Sequence, residues 1–322
     1  MHKNNDWAVV FPGQGAQYVG MLGDAAKHFP EIRETFTQAS ERLGFDTWAM
    51  ASSGPEQALG RTENTQPLLL CASVALWRSF ERLCTVRPAF FAGHSLGEYS
   101  ALVCSGALAF EQALDVVRLR GQLMQQAVPE GSGAMAAILG LNLDQVRVAC
   151  KQARAFGVVE PANLNAPGQI VISGAKPAVD QAMEAAKTLG ARRAVSLAVS
   201  APSHCSLMSG AAQALAETLM KTPMTRPETP VLNNVDVRVE TSPDGIRNAL
   251  VRQLYCPVRW SENIEWLAAQ GIRRLAECGP GRVLGGLVRR IDKSLACVAM
   301  EAPESMNALA ADLQRAYSAE SK

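Results

Sequence analysis

Phe90-Phe91-Ala92-Gly93-His94-Ser95-Leu96-Gly97 decides how the rest of the chain is read. The apolar run Pro88 to Gly93 reads as a strand and Leu96 onward as a helix, so a G-x-S-x-G pattern falls where strand gives way to helix. Glycines flanking a serine there permit a tight turn in which side chains would collide with neighbouring backbone. The hydroxyl is then held clear of the sheet at the amino end of a helix, where free N–H groups and the dipole favour developing negative charge. A glycine-flanked serine can also be no more than a helix cap. Other residues must decide between the two.

Around this stretch, β-rich apolar runs alternate with helical ones, the pattern of an α/β fold with a mostly parallel sheet. Trp7 to Phe11 reads as a first strand, closed by Pro12-Gly13-Gln14-Gly15. Thr65 and Pro67 are expected to open a helix through Leu70, Val74, Trp77 and Phe80. Phe110 to Ala127 is a further helix, stopped near Pro129. The pattern then becomes strand (Ala134 to Leu141), helix (Leu143 to Ala155), two strands (Val158 to Leu164, Gln169 to Ser173), helix (Lys176 to Leu189) and strand (Arg193 to Val199). That βαββαβ order is ferredoxin-like and places a small inserted domain at 129–199. The larger domain takes 1–128 and 200–322, with a strand expected at Val231 to Val235.

The composition excludes several function classes. At 322 residues, 48% hydrophobic and 19% charged, the chain is not a disordered one. A formal net charge of +1 without a dense basic stretch makes nucleic acid a poor partner. The eight cysteines are scattered without a C-x-x-C pair, so no metal is expected and a disulfide framework is not. Met1 to Asp6 shows no signal peptide, and Pro67 to Trp77 is too short to span a bilayer. A cytoplasmic protein, free of the membrane, is expected.

A serine nucleophile needs a base, and histidine suits neutral pH best. The chain offers His2, His28, His94 and His204. His2 is in a terminal tail, His28 lies in a polar helical stretch, and His94 adjoins Ser95 so closely that its ring should diverge from the hydroxyl. By elimination His204, in Ala201-Pro202-Ser203-His204-Cys205, is the candidate, with a structural histidine as the other reading. No acid can be named to orient it. At about 100° per residue, the helix Phe110 to Ala127 places Arg120 within the apolar stripe of Ala113, Val117 and Met124, and Arg118 on the solvent side. A buried guanidinium needs an anion, either a protein carboxylate or a substrate's.

Val10-Phe11-Pro12-Gly13-Gln14-Gly15, Gly93-His94-Ser95-Leu96-Gly97-Glu98-Tyr99, Arg120-Gly121, Gly133-Ala134-Met135-Ala136-Ala137, Ala201-Pro202-Ser203-His204, Asn233-Asn234-Val235-Asp236 and Gly279-Pro280-Gly281 occur in this order. Together they resemble the malonyl-CoA:acyl carrier protein transacylases of bacterial type II fatty acid synthesis, over about residues 6–310. The resemblance implies an α/β-hydrolase-like larger domain with a ferredoxin-like insertion. It implies that Ser95 attacks a thioester, His204 is the base, Arg120 pairs with the malonyl carboxylate, and Gln14 and Leu96 N–H groups form an oxyanion hole. It also implies that a backbone carbonyl near Gln253, not an acid, orients the histidine. The substrates implied are malonyl-CoA and holo-acyl carrier protein, used in ping-pong order by a monomer with no cofactor beyond the coenzyme A thioester.

An acidic carrier protein suits a basic rim, for which Arg282, Arg289, Arg290 and Lys293 are candidates; the plainer reading is solvated helix charges. Other functions keep the same elbow: a serine hydrolase, a malonyltransferase for polyketide synthesis or malonate decarboxylation, and a catalytically dead carrier-protein-binding module.

Overall fold

The computed structural model describes residues 5–199 and 201–318; His2 therefore lies outside the described residues. Nine strands are described in two sheets. The first contains β1 (Trp7–Phe11), β2 (Phe90–Gly93), β7 (Val231–Leu232), β8 (Arg274–Glu277) and β9 (Ala296–Ala299), in the order β7-β2-β1-β8-β9. All its pairings are parallel. The second contains β3 (Gly133–Leu139), β4 (Val159–Ala166), β5 (Gln169–Ala175) and β6 (Arg193–Ser196), in the order β4-β5-β3-β6. Its pairings are all antiparallel. The protein is thus a mixed α/β structure with a parallel and a separate antiparallel sheet.

β1 shows why the parallel sheet is central. All five residues are buried. Trp7, Val9 and Phe11 join one core with Phe36, Trp77, Phe91 and Val117, while Ala8 and Val10 join another with Trp260, Ile264 and Leu275. Side chains alternate across a strand, so a strand apolar at every position needs cover on both faces. In the antiparallel sheet Ile138, Ile170 and Ile172 pack beneath the helices Leu143–Ala153 and Lys176–Thr188. Its other face presents Met135, Val171 and Leu197 to the cavity described below. Paired backbone bonds join the sheets' units: Leu164 N–H to Val258 O and Val258 N–H to Ala162 O, both 2.9 Å.

Several elements differ from expectation. The helix expected to open at Thr65 and Pro67 runs Thr62–Leu83, with Pro67 inside it. Its first turn is held by the Arg61 carbonyl, which accepts from Asn64 and Thr65 N–H at 2.8 Å, so the helix is established before Pro67, which removes one donor from its interior. The strand at Val231 stops at Leu232 because Asn233 Oδ1 takes the Asp236 N–H at 2.7 Å and turns the chain. The last strand of the second sheet ends at Ser196, where the Val199 N–H bends back to the Leu197 carbonyl. Arg118 is half-buried rather than solvated: it donates to the Leu43 carbonyl at 2.9 Å and lies 5.8 Å from the Phe45 ring. Among the described residues no helix is long and apolar enough to cross a membrane.

Candidate active site

The elbow's geometry follows from its glycines. A Cβ on Gly93 would overlap the backbone of Gly97 and Glu98, and one on Gly97 would overlap the end of β1 at Phe11. Only without side chains can β2, the helix Gly97–Cys104 and β1 meet this closely. Ser95, at the apex, takes φ +53°, a region costly to residues with a Cβ. Asn234, just beyond β7, holds it there: its Oδ1 accepts the Ser95 N–H at 2.7 Å and its Nδ2 donates to the Gly93 carbonyl at 2.6 Å.

Ser95 Oγ lies 2.8 Å from His204 Nε2. His204 too has a positive φ, +62°, and is 3% exposed. Its N–H donates to the Leu254 carbonyl at 2.9 Å, and its Nδ1 lies 2.6 Å from the Gln253 carbonyl oxygen. A carbonyl only accepts, so Nδ1 carries the proton and Nε2 is left to accept from the serine hydroxyl. Burial, reinforced by the Arg120 charge, pulls His204 down to about 3, so its ring is neutral at physiological pH. Sequence elimination therefore named the histidine that meets the serine. His28 is exposed, and His94 turns its Nε2 to Asn165 Oδ1 at 2.8 Å.

Arg120 is 1% exposed and lies directly beside the pair. Its Nη2 donates to Ser95 Oγ at 3.2 Å and to Gln253 Oε1 at 3.0 Å, and its Nη1 to Gln66 Oε1 at 2.9 Å. Its Nε has no partner, and no carboxylate within salt-bridge distance pairs with it among the described residues. Burial pulls the guanidinium down from its ordinary value, though an arginine remains a cation. Of the two anions the sequence left open, a directly paired protein carboxylate is the one this geometry lacks.

Gln14 and Leu96 line the same cavity, of about 380 Å³, as Ser95, Arg120 and His204. Their backbone N–H groups have no hydrogen-bond partner among the described residues, whereas that of Ser95 is taken by Asn234. An oxyanion needs such unpaired donors. Gln253 contributes more than its carbonyl. Its side-chain Nε2 donates to the Ser95 carbonyl at 3.0 Å and to Glu98 Oε2 at 2.7 Å. Of the basic rim, exposed Arg290 reaches the cavity and donates to Gln169 Oε1, while Arg282, Arg289 and Lys293 are exposed away from its lining. Among the described residues no group of three or more His, Cys, Asp or Glu could hold a metal.

Gln66, Glu98 and Asn234 were not assigned roles from sequence. Asn234 had a signal, since it stands in a recognisable motif; Gln66 had none.

The acyl transferase domain family matches residues 8–315. The chain is 53% identical over 302 residues to the malonyl CoA-acyl carrier protein transacylase of Escherichia coli (strain K12), covering 94% of this chain and 98% of that one. It superposes on the acyl carrier protein S-malonyltransferase from Vibrio cholerae with a TM-score of 0.92 at 53% identity, over 94% and 99% of the two chains. A malonyl-transacylase solved in complex with its type II PKS acyl-carrier protein gives 0.94 at 51% identity, over 95% and 99%. A serine in contact with both a neutral histidine and a buried arginine thus stands in a chain that belongs to the acyl transferase domain family and, within it, to the malonyl CoA-acyl carrier protein transacylases.

Proposed function

We propose that the protein transfers the malonyl group of malonyl-CoA to the phosphopantetheine thiol of holo-acyl carrier protein by a ping-pong route through malonyl-Ser95. The observation that carries this is Arg120, a buried guanidinium with its Nη2 3.2 Å from the Ser95 hydroxyl. A plain esterase has no use for a cation there, whereas a malonyl thioester brings a carboxylate two carbons from the carbonyl under attack. An arginine fork suits that group.

In the first half, His204 Nε2 takes the Ser95 proton as Oγ bonds to the thioester carbonyl carbon. The oxyanion is met by the N–H groups of Gln14 and Leu96. Collapse breaks the C–S bond, and the proton passes from His204 to the coenzyme A sulfur. In the second half, the carrier's thiol gives its proton to His204 and its sulfur attacks the ester carbon. The C–Oγ bond breaks and the proton returns to Ser95. Protein groups supply every step, so no cofactor beyond the thioester is invoked, and every one comes from a single chain, which suits a monomer. Arg290 at the cavity mouth is the basic-rim residue best placed to meet an acidic carrier.

We also read the parallel-sheet unit (1–128 and 200–322) as α/β-hydrolase-like and the antiparallel unit (129–199) as ferredoxin-like. The order β4-β5-β3-β6, all antiparallel with two helices on one face, supports the second reading.

Labelled malonyl-CoA mixed with the purified protein and quenched tests the proposal. Label should stay on the wild type, be absent from Ser95→Ala, be weak with labelled acetyl-CoA, and discharge onto added holo-carrier protein. Steady release of coenzyme A to water without labelling would make the protein a hydrolase.

A further inference from the structure

Glu98 is a buried carboxylate, 3% exposed, that the mechanism above does not use. Its Oε2 accepts from the Asn234 N–H at 3.0 Å and from Gln253 Nε2 at 2.7 Å. The same Gln253 amide turns its Oε1 to Arg120 Nη2 at 3.0 Å. One amide therefore stands between the buried cation and the buried carboxylate, its carbonyl toward the charge it can accept from and its N–H toward the charge it can donate to. The backbone carbonyl of that residue holds His204.

The charges in this pocket do not balance once substrate arrives. With Glu98 ionised, Arg120 and Glu98 sum to zero in the resting site. A malonyl carboxylate on Arg120 leaves one uncompensated negative charge in a desolvated cluster, which is costly. Taking one proton from solvent restores neutrality. We propose that Glu98 is the resting counter-charge of Arg120, relayed by the Gln253 amide, and that it takes up a proton when the substrate's carboxylate reaches Arg120. This inference rests on the reading of Arg120 as the malonyl clamp.

The surroundings favour Glu98 over His204 as the acceptor of that proton. The charged and titratable groups facing Glu98 are Arg120, its neighbour Tyr99, and Asp236, which is itself paired with Arg252 at 2.5 Å. Burial pushes the Glu98 carboxyl up to about 7, with Gln253, Asn234 and Arg120 pulling the other way. His204 is held far below that, at about 3. A carboxylate poised near neutrality gains a proton for little, and a second nearby negative charge raises its affinity further.

The test uses full-length Ser95→Ala protein, which binds without turnover, titrated calorimetrically with malonyl-CoA and acetyl-CoA in buffers of different ionisation heat. Between about pH 7.5 and 9, malonyl-CoA binding should take up close to one proton and weaken by roughly tenfold per pH unit, while acetyl-CoA shows neither effect. Adding Glu98→Gln should abolish both pH effects while preserving tighter binding of malonyl-CoA than of acetyl-CoA. Should that double variant fail to fold, infrared difference spectra of the Ser95→Ala protein serve instead. Malonyl-CoA should then produce a protonated-carboxyl C=O band that acetyl-CoA does not. Preferential malonyl-CoA binding without proton uptake, or with uptake that survives Glu98→Gln, overturns the role of Glu98 alone. Equal binding of the two thioesters overturns the clamp, and this inference with it.

Discussion

His204 Nδ1 lies 2.6 Å from the backbone carbonyl oxygen of Gln253, the position in which a serine triad usually carries an aspartate. A carbonyl fixes the tautomer as well as a carboxylate does but brings no full negative charge. Burial and the Arg120 charge outweigh the Gln253 carbonyl, which by itself favours an imidazolium, and the ring sits near 3.

Because the free enzyme's His204 is already neutral well below its ordinary value of 6.5, kcat/KM for malonyl-CoA should show no imidazole-like acid limb near that value. The limb should lie at least about one unit lower. A rate profile that halves at the ordinary imidazole value would mean that His204 is solvated before substrate binds. The same shift bears on stability: the unfolded chain binds the proton between about 3 and 6.5, so stability is lost as pH falls through that window.

Ser95→Ala and His204→Ala should each lower malonyl transfer by roughly 10⁴-fold or more, and the double variant by little beyond either one. The two groups share one proton transfer across 2.8 Å, so losing either removes the same step. Initial rates of transfer to holo-carrier protein measure this. A His204→Ala enzyme with near-wild-type rates would remove the histidine from the mechanism.

Arg120→Ala should lower malonyl transfer about 10²–10⁴-fold more than acetyl transfer, since a buried cation that loses its partner penalises the uncharged substrate in the wild type only. Arg120→Lys should recover little. The guanidinium fork bonds Gln66, Gln253 and Ser95 at once, which an ammonium at the end of a flexible stem cannot reproduce. Competition assays with both thioesters give the ratio directly, and equal losses would dismiss the clamp.

How much of this was legible in the sequence depends on how local each signal is. Ser95 is announced by its own flanking glycines, and Arg120 by the helical period of its neighbours, both within a few residues. His204 needed only a count of the chain's histidines. Gln253 entered through family resemblance alone. Asn234 reaches Ser95 because β7 lies parallel to β2, with Leu232 opposite Ala92, so two residues on the chain arrives beside the elbow. Nothing in the local composition states that strand order. Gln66 was hidden by Pro67: a proline that conventionally opens a helix displaced the expected start, when the turn carrying Gln66 was already helical.

Asn234→Ala tests whether the elbow is held from outside. The bonds to the Ser95 N–H and the Gly93 carbonyl would be lost, with a longer one from Gln253 Nε2 at 3.4 Å, at a cost of about 2–4 kcal/mol in unfolding free energy. The freed Ser95 N–H and the positive φ of that residue should also let the serine drift, lowering kcat more than it changes KM. Unaltered kcat in a destabilised protein would show that the glycines and the His204 contact suffice to set the nucleophile.

Glu98 makes a stability prediction that needs no substrate. Its folded-state value, raised from 4.5 to about 7, means that the folded chain binds more protons than the unfolded chain between those pH values. Stability attributable to this residue is therefore greatest below about pH 4.5, declines as pH rises, and levels off above about 7. The full decline is on the order of 3 kcal/mol, each pKa unit being worth about 1.4. Glu98→Gln stays neutral throughout and keeps an oxygen to accept from Asn234 and Gln253. The variant should thus gain on the wild type as pH rises from 5 to 8, whatever its absolute stability, and lose that advantage on the acid side. Urea unfolding at several pH values measures the difference directly, provided the slopes with denaturant agree. A gap between the two proteins that does not change over this range would mean that the Glu98 carboxyl is not raised on folding and stays ionised opposite Arg120 at neutral pH.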